Sequence, residues 1–298
     1  MGVIGHHSSN ASKAALEIYA KAGITMITPS STSTNLKQDS NNKVFFRATV
    51  SNAALGRSLA DKIGTLGKVR IFYEGNNEYS KDLKNKFKEF LDTTLVEKEI
   101  DIQPSNFTES DVPPTPNYVK AAVFFSSGGT EGTNKRTISL IKKIKAENPR
   151  IRLFGGDSLY EGLNLSIGKT DIEGLKLVFP WFPVDSEGKT ISPYAKESQA
   201  TWGGPINWVT ASSYDATRAF LAAISKAEET SGKVERKSVL ESLPKVVLEK
   251  KFTSGEKLEF QNGERQGGKP VFVEVVQKTK LPKILQCSFE VCFKPVKN

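Results

Sequence analysis

Two hydroxyl-rich segments carry the most chemistry in this sequence: Gly5-His6-His7-Ser8-Ser9-Asn10-Ala11-Ser12 and Thr28-Pro29-Ser30-Ser31-Thr32-Ser33-Thr34. Each follows a short apolar run and borders a helical pattern. Hydroxyls beside the unpaired N–H groups of a helix start suit a small carboxylate, and ligands of open α/β sheets bind outside the carboxyl ends of the strands. Ser and Thr serve equally as helix N-caps and turn residues, so both readings stand at this point. Asp157, in Gly155-Gly156-Asp157-Ser158 after the apolar run 151–154, has two roles open to it. It caps the next helix, or it pairs with a ligand ammonium through a strong charge-assisted contact.

Other chemistries find less support. Ser126-Ser127-Gly128-Gly129-Thr130-Glu131-Gly132 lies where a phosphate-cradling turn would lie, after the run 121–125. It lacks both the Gly-Lys-Ser/Thr closure of a Walker loop and the Gly-x-Gly-x-x-Gly spacing. Its glycines suit a tight turn or a close backbone approach to a ligand. A serine hydrolase would have to use His6 or His7 as its base, and no Gly-x-Ser-x-Gly elbow is present. No acid or cysteine stands near the His pair in sequence, so a strand-end or pocket-wall role is expected rather than a metal site. No cofactor and no catalytic residue is expected, and the shortage of His, Cys and clustered acids argues against an α/β enzyme, the third reading of the chain.

The elements that must position these residues follow from periodicity. Apolar runs at 3–4, 24–27, 69–73, 119–125, 151–154 and 175–179 alternate with amphipathic stretches at 14–22, 55–63, 83–91 and 138–144. Strands separated by helices of this length pair in parallel through crossovers, which makes an α/β fold. A late helix is expected over 211–227, and two strand-like runs, 271–276 and 289–293, near the end. Pro- and Gly-rich or polar segments at 33–42, 111–117, 183–204 and 253–268 read as loops or connections.

With 298 residues the chain can bury one large core or two ordinary ones. Its net charge of +9 permits a polyanion partner, but Lys and Arg alternate with acids along helical faces instead of forming an aromatic-interleaved stripe, so no nucleic acid is expected. No apolar run is long enough to cross a bilayer, and the first residues lack the layout of a signal peptide, so membrane insertion is not expected. Cys287 and Cys292 leave two possibilities, a small disulfide across a terminal hairpin or a free pair. Sequons at Asn10, Asn106 and Asn164 count only in a glycosylating secretory route.

The order and spacing of Val3-Ile4-Gly5-His6-His7-Ser8-Ser9, Ile18-Tyr19, Gly23-Ile24, Met26-Ile27-Thr28-Pro29-Ser30-Ser31-Thr32 and Phe46-Arg47-Ala48 resemble the type I periplasmic binding proteins, within them the branched-chain amino acid ABC transporter group. Tyr214-Asp215-Ala216 and the segment 255–265 are similar to later landmarks of that family. The resemblance implies two Rossmann-like lobes with parallel sheets, joined by three crossovers near 48–51, 180–183 and within 260–270. Lobe I would comprise 1–49 plus 184–260, and lobe II 50–180 plus 268–298. Members of the group begin two strand–helix units earlier, which implies that lobe I here is incomplete.

By the same resemblance, the two lobes close on an amino acid or similar small polar ligand, and the protein serves an ABC permease. A ligand-sensing module feeding a signalling partner is the alternative. A periplasmic or extracytoplasmic location is implied. Ser9 and Thr32 would bind the ligand's carboxylate beside Ser31, Ser30 would offer its carbonyl to the ammonium, Asp157 would supply the counter-charge, and Tyr79 would close over the ligand from lobe II. Gly128 replaces an aromatic frequent in the family, and Asp157 is shorter than the glutamate of some relatives, both of which depart from leucine-type specificity.

Overall fold

β-branched runs bounded by capped amphipathic helices build two sheets, each covered by helices. The computed structural model describes residues 2–40, 43–203 and 206–296. Asn41, Asn42 and Gly204, at the ends of two expected loops, and the terminal Met1, Lys297 and Asn298 of the expected lobes lie outside the described residues. By contacts the chain forms unit 1, Met1–Asn52, Pro180–Asp185 and Lys189–Lys269, and unit 2, Ala53–Phe179, Ser186–Gly188 and Pro270–Asn298.

Unit 1 opens with β1 (Gly2–Ile4), α1 (Ser9–Lys21), β2 (Thr25–Thr28), α2 (Asn35–Ser40) and β3 (Phe45–Arg47). The next stretch runs through α3 (Asn52–Ile63), β4 (Lys68–Tyr73), α4 (Glu78–Phe90), β5 (Val96–Asp101), β6 (Val119–Phe125), α5 (Glu131–Glu147), β7 (Arg152–Gly155), α6 (Gly162–Gly168) and β8 (Lys176–Phe179). Unit 1 resumes with α7 (Pro193–Trp202), α8 (Trp208–Ser231), α9 (Arg236–Ser242), β9 (Val247–Leu248), β10 (Leu258–Gln261) and β11 (Glu264–Arg265). The hairpin of β12 (Val271–Gln277) and β13 (Val291–Val296) ends the chain in unit 2.

The sheet of unit 1 has the order β1-β2-β3-β11-β10-β9 and that of unit 2 the order β13-β12-β8-β7-β6-β4-β5. In unit 1, β1, β2 and β3 pair in parallel, with Ile27 beside Phe46. Because successive strand side chains alternate faces, Ile27 and Phe46 pack on the small-residue face of α8 (Ala216, Ala219, Ala223, Ala227), while Met26 and Phe45 pack with Leu16 of α1 and Leu36 of α2. In unit 2, β4, β5, β6, β7 and β8 pair in parallel. Their central positions are buried without alternation, as in Ala121–Phe125, which is what a sheet covered on both faces requires.

Several expected loops contain structure. Segment 183–204 includes α7, started by Ser192, whose Oγ accepts the Ala195 N–H at 3.0 Å, with Pro193 in the first turn and Gly203 at φ 73° ending it. Segment 253–268 includes the β10–β11 hairpin, turned by Asn262 and Gly263, both at positive φ. This is the Asn-Gly signal of a two-residue hairpin. Helix α8 extends beyond 211–227 because Asn207 caps one end and Gly232 the other. In the tail, Cys287 and Cys292 form a disulfide. It closes the turn entering β13 and does not cross the β12–β13 hairpin, so Phe289 and Glu290 fall in that turn and the strand starts at Val291.

Candidate functional site

In unit 1 the two hydroxyl segments lie together at the carboxyl ends of β1 and β2, where most of their hydroxyls join one loop to the other. Thr28 Oγ1 donates to the His6 carbonyl (3.1 Å) and accepts the N–H groups of Ser30 (3.3 Å) and Ser31 (2.9 Å). Ser30 Oγ donates to the His7 carbonyl at 2.7 Å. Ser31 Oγ donates to the His6 carbonyl at 3.0 Å and lies 2.7 Å from Ser12 Oγ, which accepts the His6 N–H at 3.2 Å. With one proton per hydroxyl, these bonds run in a closed ring from the His6 N–H through Ser12 and Ser31 to the His6 carbonyl. Ser9, in the first turn of α1, accepts the Ser33 N–H at 3.3 Å. The hydroxyl of Thr32 stands apart: it is 0% exposed and has no hydrogen-bond partner among the described residues.

Arg47, at the end of β3, holds this loop from below. Its fully buried guanidinium donates to the carbonyls of Ser31 and of Ser33 (2.8 Å to the latter) and forms an ion pair with Glu264 of β11 at 2.8 Å. Neither Arg47 nor Glu264 was identifiable as a site residue from its local sequence. The Asn262-Gly263 turn was the available signal, because the hairpin it makes brings Glu264 opposite Arg47 in the β3–β11 ladder. His6 turns to α1, with Nε2 3.1 Å from the Tyr19 hydroxyl, in a strand-end role.

In unit 2 the candidate residues gather at the carboxyl ends of β4, β6 and β7. Tyr79, in the first turn of α4, donates its hydroxyl proton to Asp157 Oδ1 at 2.8 Å. Ser158 Oγ donates to the Ser126 carbonyl and lies 3.2 Å from the Tyr79 oxygen. Gly156 makes room for this, since a Cβ there would stand 2.2 Å from the Tyr79 hydroxyl. Asp157 opens a short 3-10 turn, Asp157–Leu159, and caps no helix, because α6 starts later behind Glu161.

Asp157 is 5% exposed, and among the described residues no cation forms an ion pair with it. Burial pushes its carboxyl up to about 6, partly opposed by the Tyr79 hydrogen bond. Burial also pushes the Tyr79 hydroxyl well above its ordinary range, with the Asp157 carboxylate adding to the effect. A second acid in this unit escaped the sequence reading. Glu74, directly after β4, is buried and accepts Ser126 Oγ at 2.9 Å and the Ser127 N–H at 3.0 Å. An acid at the end of an apolar strand was its signal.

The glycine loop before α5 is a tight turn, with Gly128 and Gly129 at φ 63° and 77°. Glu161 accepts the Gly129 N–H and an Asn134 side-chain N–H, fixing the turn in place. A Cβ on Gly128 would meet the Ser158 carbonyl at 2.6 Å, so this backbone admits no side chain there. Among the described residues no group of three His, Cys, Asp or Glu is placed to hold a metal ion, and no helix is long and apolar enough to cross a membrane.

The family model described as Periplasmic binding protein matches residues 1–279. No curated protein matches the chain. Among solved structures, an ABC transporter substrate-binding protein from Desulfitobacterium hafniense in complex with Leu is similar at 19% identity and TM-score 0.69, over 99% of this chain and 80% of that one. A leucine binding protein from Thermotoga maritima is similar at 21% identity and TM-score 0.73, over 92% and 76%. A solute binding protein of an ABC transporter from Rhodopseudomonas palustris HaA2, in complex with p-hydroxybenzoic acid, is similar at 12% identity and TM-score 0.73, over 99% and 77%. Those likenesses establish the type I periplasmic binding protein fold, and the family match spans nearly the whole sequence: the chain belongs to the periplasmic binding protein family.

Proposed function

We propose that the protein captures a small amino acid-like zwitterion for an ABC transporter, in the periplasm or another extracytoplasmic space, without transforming it. The observation that carries this reading is Asp157, a buried carboxylate that no cationic side chain pairs with among the described residues. A buried charge costs free energy unless it is paired, and a ligand ammonium is the missing partner. Tyr79 orients the carboxylate by donating to one of its oxygens. In unit 1, the Thr32 hydroxyl and nearby backbone N–H groups would receive a carboxylate, with Ser9, Ser30 and Ser31 fixing the loop that carries them. The disulfide is in keeping with an oxidising compartment. The leucine complex and the leucine binding protein among the similar structures agree with an amino acid ligand.

Calorimetric titration of the wild-type protein with the common amino acids, benzoate and p-hydroxybenzoate tests the proposal. The expected result is binding of at least one amino acid in the micromolar range or tighter, with thermal stabilisation of about 2.7 kcal/mol at one hundred times its dissociation constant. Binding of the aromatic acids with no response to any amino acid would overturn it.

A further inference from the structure

We propose that Arg47 is a positioning residue for the ligand's carboxylate, acting through the loop that follows β2 and held in place by Glu264. This rests on the proposed role of that loop as the carboxylate receptor. The guanidinium makes a fork with two different targets. On one edge, Nε and Nη2 reach the two Glu264 oxygens at 2.8 and 3.3 Å. On the other, Nη1 and Nη2 donate to the carbonyls of Ser31 and Ser33.

In a planar trans peptide the N–H points opposite to the C=O that precedes it. Tying the Ser31 and Ser33 carbonyls to one cation therefore turns the N–H groups of Thr32 and Thr34 away from that cation. The peptide dipoles end with their positive poles on the side of the loop facing away from Arg47, the polarity an anion requires. Thr32 also carries the buried hydroxyl without a partner. A lysine in place of Arg47 keeps the charge but, as a point donor, loses the planar fork that spans the carboxylate and both carbonyls. Glu264 fixes the fork in plane, and glutamine there keeps one oxygen acceptor for the fork while removing the negative charge that faces the fully buried guanidinium.

Two variants, Arg47→Lys and Glu264→Gln, test the inference through two readouts. Hydrogen exchange of the ligand-free proteins, followed in peptides spanning 30–34, should accelerate by roughly tenfold or more in Arg47→Lys and less in Glu264→Gln, with the amides of β2 and of unit 2 unchanged. Titration with L-leucine and L-leucinamide as probes should show leucine weakened by roughly 10- to 100-fold in Arg47→Lys and leucinamide unchanged. Unaltered exchange of the loop in both variants would overturn the inference, as would equal weakening of the two probes. If the wild-type protein binds neither probe, the amino acid that the calorimetric titration identifies and its amide replace them, and if no amino acid binds, the exchange result alone decides whether Arg47 sets the loop.

Discussion

Two buried aspartates, Asp215 of unit 1 and Asp157 of unit 2, are solved differently. Asp215 of unit 1 pairs with Arg265 at 2.7 Å and accepts the Ser254 N–H and hydroxyl at 2.6 and 2.8 Å. Burial raises its carboxyl, with the Arg265 charge as the main opposing influence. Asp157 of unit 2 is about as inaccessible, yet its side-chain partner is the neutral Tyr79. The first arrangement is complete without a ligand. The second leaves a negative charge to be met from outside, and the contrast separates a structural carboxylate from one held ready for binding.

The largest way to break this comparison is on the completed side. Arg47→Ala would leave the Ser31 and Ser33 carbonyls without their donor and the half-buried Glu264 facing Lys37 alone, and should destabilise the protein by about 3 kcal/mol in urea unfolding, near the low end of the range for broken buried pairs because Glu264 is partly solvated. A loss below about 1 kcal/mol would mean that water replaces the guanidinium.

On the open side, the folded chain holds the Asp157 proton more tightly than the unfolded chain, since its carboxyl moves from 3.8 to about 6. The associated stability is therefore complete below about pH 4 and is lost as pH rises to about 6, an effect of order ~3 kcal/mol. Asp157→Asn should abolish that loss, so urea unfolding from pH 4 to pH 7 should show the variant gaining on the wild type. Parallel pH profiles would show that the wild-type carboxylate already has a counter-charge.

Packing around the pair gives a smaller effect. Gly156→Ala forces a Cβ into the Tyr79 hydroxyl and should cost about 1–3 kcal/mol, with Tyr79 displaced from Asp157 and its fluorescence altered. The smallest effect is expected at Thr32. Thr32→Val removes a buried hydroxyl without a partner, so stability should hold or rise by about 1 kcal/mol while ligand affinity falls by about 1 kcal/mol. Loss of both together would make that hydroxyl part of the fold.

Much of this was legible in the sequence where period and punctuation agree. The alternation of apolar runs with helical stretches gave β1, β2, β4, β6, β7 and β8 with α1, α3, α4 and α5, because parallel strands covered on both faces are continuous apolar runs, but not the short α2, β3 and α6 or the charged edge strand β5. The loops carrying Ser9, Ser30, Ser31, Thr32 and Asp157 were visible as polar residues after strand ends. What could not be read was which hydroxyls would be consumed inside the loop, because the ring through His6, Ser12 and Ser31 closes between positions up to 25 apart in sequence. The Arg47–Glu264 pair joins residues 217 apart and leaves no local trace beyond the Asn-Gly turn. Helix α7 was hidden inside a segment whose Pro and Gly mark its two ends instead of a loop.

The central claim is that Asp157 waits for a ligand ammonium, and paired titrations of wild type and Asp157→Asn with L-leucine and its des-amino analogue 4-methylpentanoate test it most directly. The wild type should prefer leucine by roughly 30-fold or more, corresponding to about 2 kcal/mol or above for a desolvated charge pair, and the variant should lose that preference. Equal binding of the two compounds by the wild type, or a preference that survives in Asp157→Asn, would contradict the account.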